Sequence, residues 1–293
     1  MDTTLSDSDK RSFQERVVGR SIKEDTFHTY WRWIQRFEAW YDGSDHPTLR
    51  DLEDFDTMLV SESTTSYLWT NDVGRKAPDS YSYQSRNQAI SGVKMWVRRH
   101  YDHNIPEQPQ DIVRGTPKSF DPTYLTREQV NEIIEEADGA CNCPACTAAL
   151  ALSYDAVLRA SEMGVLTVSD VDFDNGEVDV TAMKGSRDST LTISDNTLQL
   201  LKEYMEESDH NSGALFRNTY DDQWNPGSWA THVGRHHVDA GSHSWGRHTP
   251  IMHMFQAGAE FGEVYRRARH VSSSTTARYA RFVGVDTPDW AEG

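Results

Sequence analysis

The stretch Ala268–Arg281 reads ARHVSSSTTARYAR. It sets His270 ahead of a run of small hydroxyl residues, Ser272, Ser273, Ser274, Thr275 and Thr276, and places Tyr279 nine residues beyond the histidine. Arg266, Arg267, Arg269, Arg278 and Arg281 surround it, in a chain of 293 residues with a formal net charge of -17. So local a concentration of arginine in an acidic chain is either a binding surface for an anion or an accident of composition. Cations placed in this way can orient a phosphodiester, and they favour the ionised form of Tyr279.

Working outward, the composition sets limits. The length allows two domains of ordinary size, and 37% hydrophobic with 11% aromatic residues is enough for packed cores. No apolar run approaches the ~18 residues of a membrane span. The N-terminal MDTTLSDSDKR lacks a hydrophobic signal region, so the sequence reads as cytoplasmic. The 46 acidic residues against 29 basic ones argue at first against a nucleic-acid partner. A surface adapted to concentrated salt removes the conflict. The basic residues are mostly arginine, and the composition resembles that of haloarchaeal proteins. In molar salt, attraction between charges is screened to about 3 Å, so only arginines in contact with a phosphate matter.

Along the chain, residues 1–20 read as a polar N-terminal arm. Ser21 is the expected cap, with Glu24 as its partner, of a helix whose inward face carries Phe27, Tyr30, Trp31, Ile34, Phe37 and Trp40 at helical spacing. Thr48 caps a short helix through Leu52 and Phe55, and 58–69 reads as another. Tyr83–Tyr101 reads as a longer helix, with Arg86, Lys94, Arg98 and Arg99 as candidate phosphate contacts or a solvated face. Residues 105–122 are rich in proline and read as a linker. This makes 21–104 a helical domain and 123–293 a second domain. The second domain opens with a Thr126/Gln129 capping box and continues with an apolar helix over 148–158. Short strands are expected over 165–169, 177–182 and 190–193, with turns at Asn175-Gly176 and Lys184-Gly185. Helices follow over 196–207, 229–238, 247–257 and 261–269. The fold class is mainly α with a small antiparallel β-sheet in the second domain.

Cys141, Cys143 and Cys146 form C-x-C-x-x-C. The spacing suits three ligands of a zinc ion with a fourth from elsewhere, or three reduced thiols in a loop.

Metal-free cutting of a phosphodiester needs cations on the nonbridging oxygens, an attacking oxygen, and an acid for the leaving oxygen. Arginine, tyrosine, and lysine or histidine suit these tasks in turn. Candidates occur in order along the chain. Arg159 lies in Leu158-Arg-Ala-Ser-Glu162, Lys184 in Met183-Lys-Gly-Ser-Arg187, and Arg247 in Trp245-Gly-Arg-His-Thr, with His270 and Tyr279 last. In this order and setting they resemble the tyrosine recombinase (phage integrase, Xer-like) family. That family ends in Gly-His-x-Ser-x-x-Thr-Thr-x-x-Tyr, has a Gly-x-Arg-x-x-Glu box after an apolar helix, and has His-x-x-Arg. The chain departs at three points. Val157 and Arg269 stand where the family has glycine. Ser244 stands at the family's histidine, with His243 one residue earlier and expected to take its role.

The resemblance implies two domains clamping double-stranded DNA, the first a core-binding domain and the second catalytic. It makes Tyr279 the nucleophile and Arg159 and Arg247 the phosphate clamps. Glu162 supports Arg159, Lys184 protonates the leaving 5′ hydroxyl, and His243 and His270 assist. Arg187, Arg266, Arg267 and Arg269 join the DNA-binding candidates. The implied product is a 3′-phosphotyrosine, made without metal, ATP or another cofactor by a homotetramer on paired sites, with the segment from Phe282 onward docking on a neighbouring subunit. Two other readings share the chemistry or the fold: a non-catalytic sequence-specific DNA-binding regulator, supported by the displaced histidine, and a type IB topoisomerase-like relaxing enzyme.

Overall fold

The computed structural model describes residues 5–41, 43, 45–60, 80–140, 145–183, 187–208, 210–217, 223–236, 238–288 and 291. The chain divides into two compact units, 1–119 and 120–293.

The first unit is built from helices. Five lie among its described residues: α1 (Asp7–Val17), α2 (Glu24–Trp40), α3 (Leu49–Val60), α4 (Tyr83–His100) and the single turn α5 (Pro109–Ile112). Residues 7–17, expected within a polar arm, form α1, because Phe13 and Val17 share one face and are buried against Phe27, Trp31 and Trp96. Ser6 and Asp9 close its N-terminus as a capping box. Helix α2 starts from Lys23 without a side-chain cap, so Ser21 does not cap it. Helix α3 runs unbroken through Met58, where two helices were expected. A second cluster joins Phe37, Phe55, Leu59, Ile90 and Val97. Ile105, Ile112 and Val113 are buried in the same cluster, so the first part of the expected linker belongs to this unit's core.

The second unit is organised around α7 (Cys146–Asp155). Ala148, Ala149, Leu150, Ala151 and Leu152 are all buried, so this helix is enclosed on every side. Helix α6 (Arg127–Ala140) packs on it, opened by Thr126 and Gln129 through reciprocal hydrogen bonds of 2.9 and 3.3 Å. After the single-turn α8 (Ala160–Met163), the stretch expected as a strand at 165–169 makes one antiparallel bridge, Thr167 with Ala214, and then a 3₁₀ turn, Val168–Asp170. The backbone N–H and hydroxyl of Thr167 both donate to Asp170, which caps that turn. Strands β1 (Val171–Asp172), β2 (Glu177–Val180) and β3 (Ser189–Thr192) form an antiparallel sheet in that order, with Val178 opposite Leu191.

Helix α9 (Asp195–Ser208) packs on α7. It is followed by α10 (Pro226–His236), the single turn α11 (Gly241–His243), a π-helix over Ser244–His248, α12 (Thr249–Gln256), α13 (Phe261–Arg267) and α14 (Ser273–Phe282). Val157, Ile251, Phe255, Val264, Ala277 and Tyr279 make a separate core beneath these last helices. Val283 and Val285 pack against that core and Ala291 is fully buried in it, so the described part of the C-terminal segment lies on its own unit. Among the described residues, no helix is long and apolar enough to cross a membrane.

Candidate active site

The site begins where α7 stops. Val157 takes the left-handed conformation, with φ 52°, and turns the chain out of the helix. Its carbonyl then faces inward and accepts from two guanidinium groups: Arg247 Nη1 at 2.7 Å and Arg269 Nη2 at 2.8 Å. Two residues on, Arg159 is the extended N-cap of α8, and Glu162 reaches back to it. Glu162 Oε2 accepts from the Arg159 backbone N–H at 2.8 Å, and Oε1 accepts from its Nη1 at 3.1 Å. The Glu162 side chain is fully buried while that of Arg159 is 20% exposed, so the carboxylate holds the arginine from below.

Arg247 arrives on the π-helix. A π turn takes one more residue than an α turn, so His243, four residues before Arg247, stands beside the arginine rather than out of register. Its pKa is lowered by partial desolvation and then by Arg247 and Arg159. Ser244, at the position where the family has histidine, is buried. Gly246 is required here, since a Cβ would collide with the carbonyl oxygen of Leu158. Arg247 is 1% exposed, and its Nη2 donates to the Ala268 carbonyl at 2.7 Å.

The stretch Ala268–Arg281 supplies the other wall. Arg269 is also left-handed, with φ 52°, and its guanidinium lies inside the protein at 1% exposure. His270 is buried, with Nδ1 2.8 Å from Thr276 Oγ1, and its ring stacks 6.1 Å from that of Tyr279. Tyr279 is 4% exposed on α14, with Phe120 edge-on at 4.8 Å. Its hydroxyl is 2.7 Å from His248 Nδ1. Sequence reasoning assigned His248 no role. Its contact with Tyr279 spans 31 residues and depends on the π turn, which leaves no spacing signal.

The electrostatics have one theme. Among the described residues, three guanidinium groups (Arg159, Arg247 and Arg269) meet one carboxylate, Glu162. Burial pushes Arg247 down to about 9, and Arg159 and Arg269 add to the shift. Burial and the same arginines lower His270. His248 is lowered to about 4 by burial, then by His243, Arg247 and Arg278, so it is neutral near pH 7. Burial raises Tyr279 above the ordinary phenol value, and Arg247, Arg278 and Arg159 partly offset this. The pocket holds surplus positive charge beside a neutral phenol, an arrangement suited to holding an anion.

Several expected DNA contacts are directed inward instead. Arg86 is buried, and its Nη1 donates to both carboxylate oxygens of Asp56, at 2.6 and 2.8 Å. Lys94 donates to the Glu107 carbonyl. Arg267 donates to the Asp155 and Thr192 carbonyls and to the Asp155 carboxylate. Arg269 is enclosed as described. In each case an acceptor within the fold takes the charge that the sequence assigned to a surface. Arg98, Arg99, Arg187 and Arg266 are exposed. Arg187, Arg266 and His270 are among the residues that line a groove of about 550 Å³. Lys184 lies between β2 and β3 in sequence but outside the described residues, as do Cys141 and Cys143. Cys146 is buried, with Sγ 2.9 Å from His232 Nε2.

Residues 123–283 match the phage integrase family. The chain is 27% identical over 212 residues to the tyrosine recombinase XerA of Thermococcus onnurineus, covering 69% of this chain and 72% of the relative. Among solved structures it is similar to the Tn1549 transposon integrase in complex with transposon right end DNA. The TM-score is 0.70 at 15% identity, covering 97% of this chain and 96% of the other. It is also similar to a lambda integrase tetramer bound to a Holliday junction, with TM-score 0.68 at 12% identity, covering 95% and 78%. The chain belongs to the phage integrase family and is a tyrosine-type site-specific recombinase.

Proposed function

We propose that the chain cuts and rejoins DNA through a covalent bond between Tyr279 and a 3′ phosphate, without metal or ATP. The observation that carries this reading is the 2.7 Å contact of the Tyr279 hydroxyl with a neutral His248, beside a pocket of surplus arginine charge. In this reading the scissile phosphate settles against Arg159 and Arg247, and its negative charge relieves their mutual repulsion. The Tyr279 oxygen attacks phosphorus as its proton passes to His248 Nδ1, which requires the ring proton to sit on Nε2. The P–O5′ bond breaks, and the leaving oxygen takes a proton from Lys184. A 5′ hydroxyl from the partner strand reverses each step, so one phosphodiester is exchanged for another with no net consumption of water or nucleotide. Cations fixed before the reaction favour the five-coordinate phosphorus over the ground state.

The DNA clamp, with a core-binding first unit and a catalytic second unit, and assembly as a tetramer on paired sites belong to the same reading. Solved relatives on DNA, one of them a tetramer on a Holliday junction, support it. The excess of carboxylates and the scarcity of lysine support work in concentrated salt. Unfolding midpoints that fall as KCl rises to molar levels would contradict that part.

The test is a nicked duplex carrying a candidate site from DNA flanking the gene, incubated with wild type and with Tyr279→Phe. The expected result is a covalent protein–DNA band that is absent for Tyr279→Phe. Duplex binding with no such band would favour a binding regulator.

A further inference from the structure

Two residues of the site hold a backbone conformation that L side chains rarely adopt, and neither is glycine. They are Val157 and Arg269, each with φ 52°. For a β-branched residue such as Val157 the conformation is strained. The two positions are joined. Arg269 Nη2 donates to the Val157 carbonyl at 2.8 Å, and Nη1 donates to the Ala156 carbonyl at 2.9 Å. The guanidinium of one left-handed residue thus pins the turn made by the other. Its Nη2 also lies 2.7 Å from Glu162 Oε2, the oxygen that receives the Arg159 backbone N–H. The Val157 carbonyl it grips is the one that receives Arg247 Nη1. His270 is the next residue in the chain.

We infer that Arg269 is the positioning residue of the site: by clamping the Val157 turn and Glu162 together it sets the directions of Arg247 and Arg159. The inference rests on the Tyr279 reading of the function. Both Nη groups of Arg269 are taken up within the fold, Nη1 by the Ala156 and Arg267 carbonyls and Nη2 by the Val157 carbonyl and Glu162, and Nε is buried, so the residue acts through its neighbours. A planar fork suits this task, because it reaches a carboxylate and three carbonyls from fixed directions, which an ammonium group does not. The consequence is kinetic. A catalytic group displaced by about 1 Å loses on the order of 10²-fold in rate, while binding spread over a long duplex changes little.

The experiment uses full-length protein and a nicked duplex. It compares wild type, Tyr279→Phe, Arg269→Gly, Val157→Gly and the Val157→Gly/Arg269→Gly double variant. Glycine accepts φ 52° without strain, so Arg269→Gly removes the guanidinium and leaves the backbone free to keep its path. Three quantities are read: the thermal midpoint, duplex affinity by gel shift, and the single-turnover rate of covalent adduct formation at saturating protein. The expected result for Arg269→Gly is a rate at least thirtyfold lower with affinity within threefold of wild type. The loss on removing Arg269 should be at least threefold smaller in the Val157→Gly background, where the turn no longer needs clamping.

A wild-type rate for Arg269→Gly, or rate and affinity falling together, overturns the inference. An equal loss in both Val157 backgrounds overturns the clamping of the turn. If Arg269→Gly melts below the assay temperature, Arg269→Lys takes its place. It keeps a cation but not the fork, and the same split of rate from affinity is expected, while a wild-type rate overturns the inference. A wild type with no Tyr279-dependent adduct overturns the functional reading, and the inference with it.

Discussion

In the first unit Arg86 is 7% exposed and lies against Asp56, which is fully buried. In the second, Arg247 and Arg269 are each 1% exposed; Arg269 and Arg159 pair with the carboxylate of Glu162, and Arg247 donates to the Val157 and Ala268 carbonyls. The Arg86 site is balanced. Its Nη1 reaches both carboxylate oxygens, Nη2 reaches the Arg114 carbonyl and Nε the Tyr81 carbonyl, while the Arg114 N–H completes Asp56. One positive charge meets one negative charge, and the directional donors have acceptors. The second site is unbalanced. Main-chain carbonyls hold its guanidinium groups but cancel little of their charge. Burial alone therefore does not mark a functional arginine. What separates the two is the surplus charge left facing Tyr279.

The comparison can be broken or sharpened by measurement. The largest effect is expected on stability in the first unit. Arg86→Ala strands a buried Asp56 and should cost about 3–5 kcal/mol in denaturant unfolding, with the adduct rate per folded molecule unchanged. In the second unit, Arg247→Ala should lower the rate of adduct formation by on the order of 10²–10³-fold, the scale of losing one preorganised donor. Its stability should fall less than that of Arg86→Ala, because removing a surplus cation also removes repulsion. If the two variants exchange phenotypes, charge balance does not distinguish the sites.

A smaller effect is expected from pH. His248 ionises near 6.5 when unfolded and near 4 when folded. Between these values the unfolded chain binds a proton that the folded site excludes, so stability contributed by the neutral ring is present above about 6.5 and is lost as pH falls toward 4. His270 is shifted in the same direction. Thermal midpoints measured from pH 7 to pH 4 should fall, with a shallower slope for His248→Asn. An equal slope would remove His248 from the pocket's electrostatics.

Much of this was legible in the sequence. The order of Arg159, Arg247, His270 and Tyr279 carried the family, and the helical spacing of Phe27, Trp31, Ile34 and Phe37 carried the first unit. Three features were not legible, for physical reasons. A π turn has no signature in hydrophobic spacing, so the His248–Tyr279 contact emerged only in three dimensions. Left-handed backbone is not expected at valine or arginine, so nothing in the sequence signals that both positions take the conformation glycine adopts most readily. The fate of an arginine depends on acceptors far along the chain. Asp56 lies 30 residues from Arg86, and Glu162 lies 107 from Arg269. The stretch expected as a strand at 165–169 keeps only the bridge of Thr167 to Ala214 before its 3₁₀ turn.

The central claim is that the surplus charge serves an attack by Tyr279 on a phosphodiester. The most direct test is to trap the complex on a nicked duplex, digest it with nuclease and trypsin, and locate the adduct by mass spectrometry. The account predicts a nucleotide 3′-phosphate on the oxygen of Tyr279 and on no other residue. An adduct on a different side chain, or one linked through a 5′ phosphate, would contradict it.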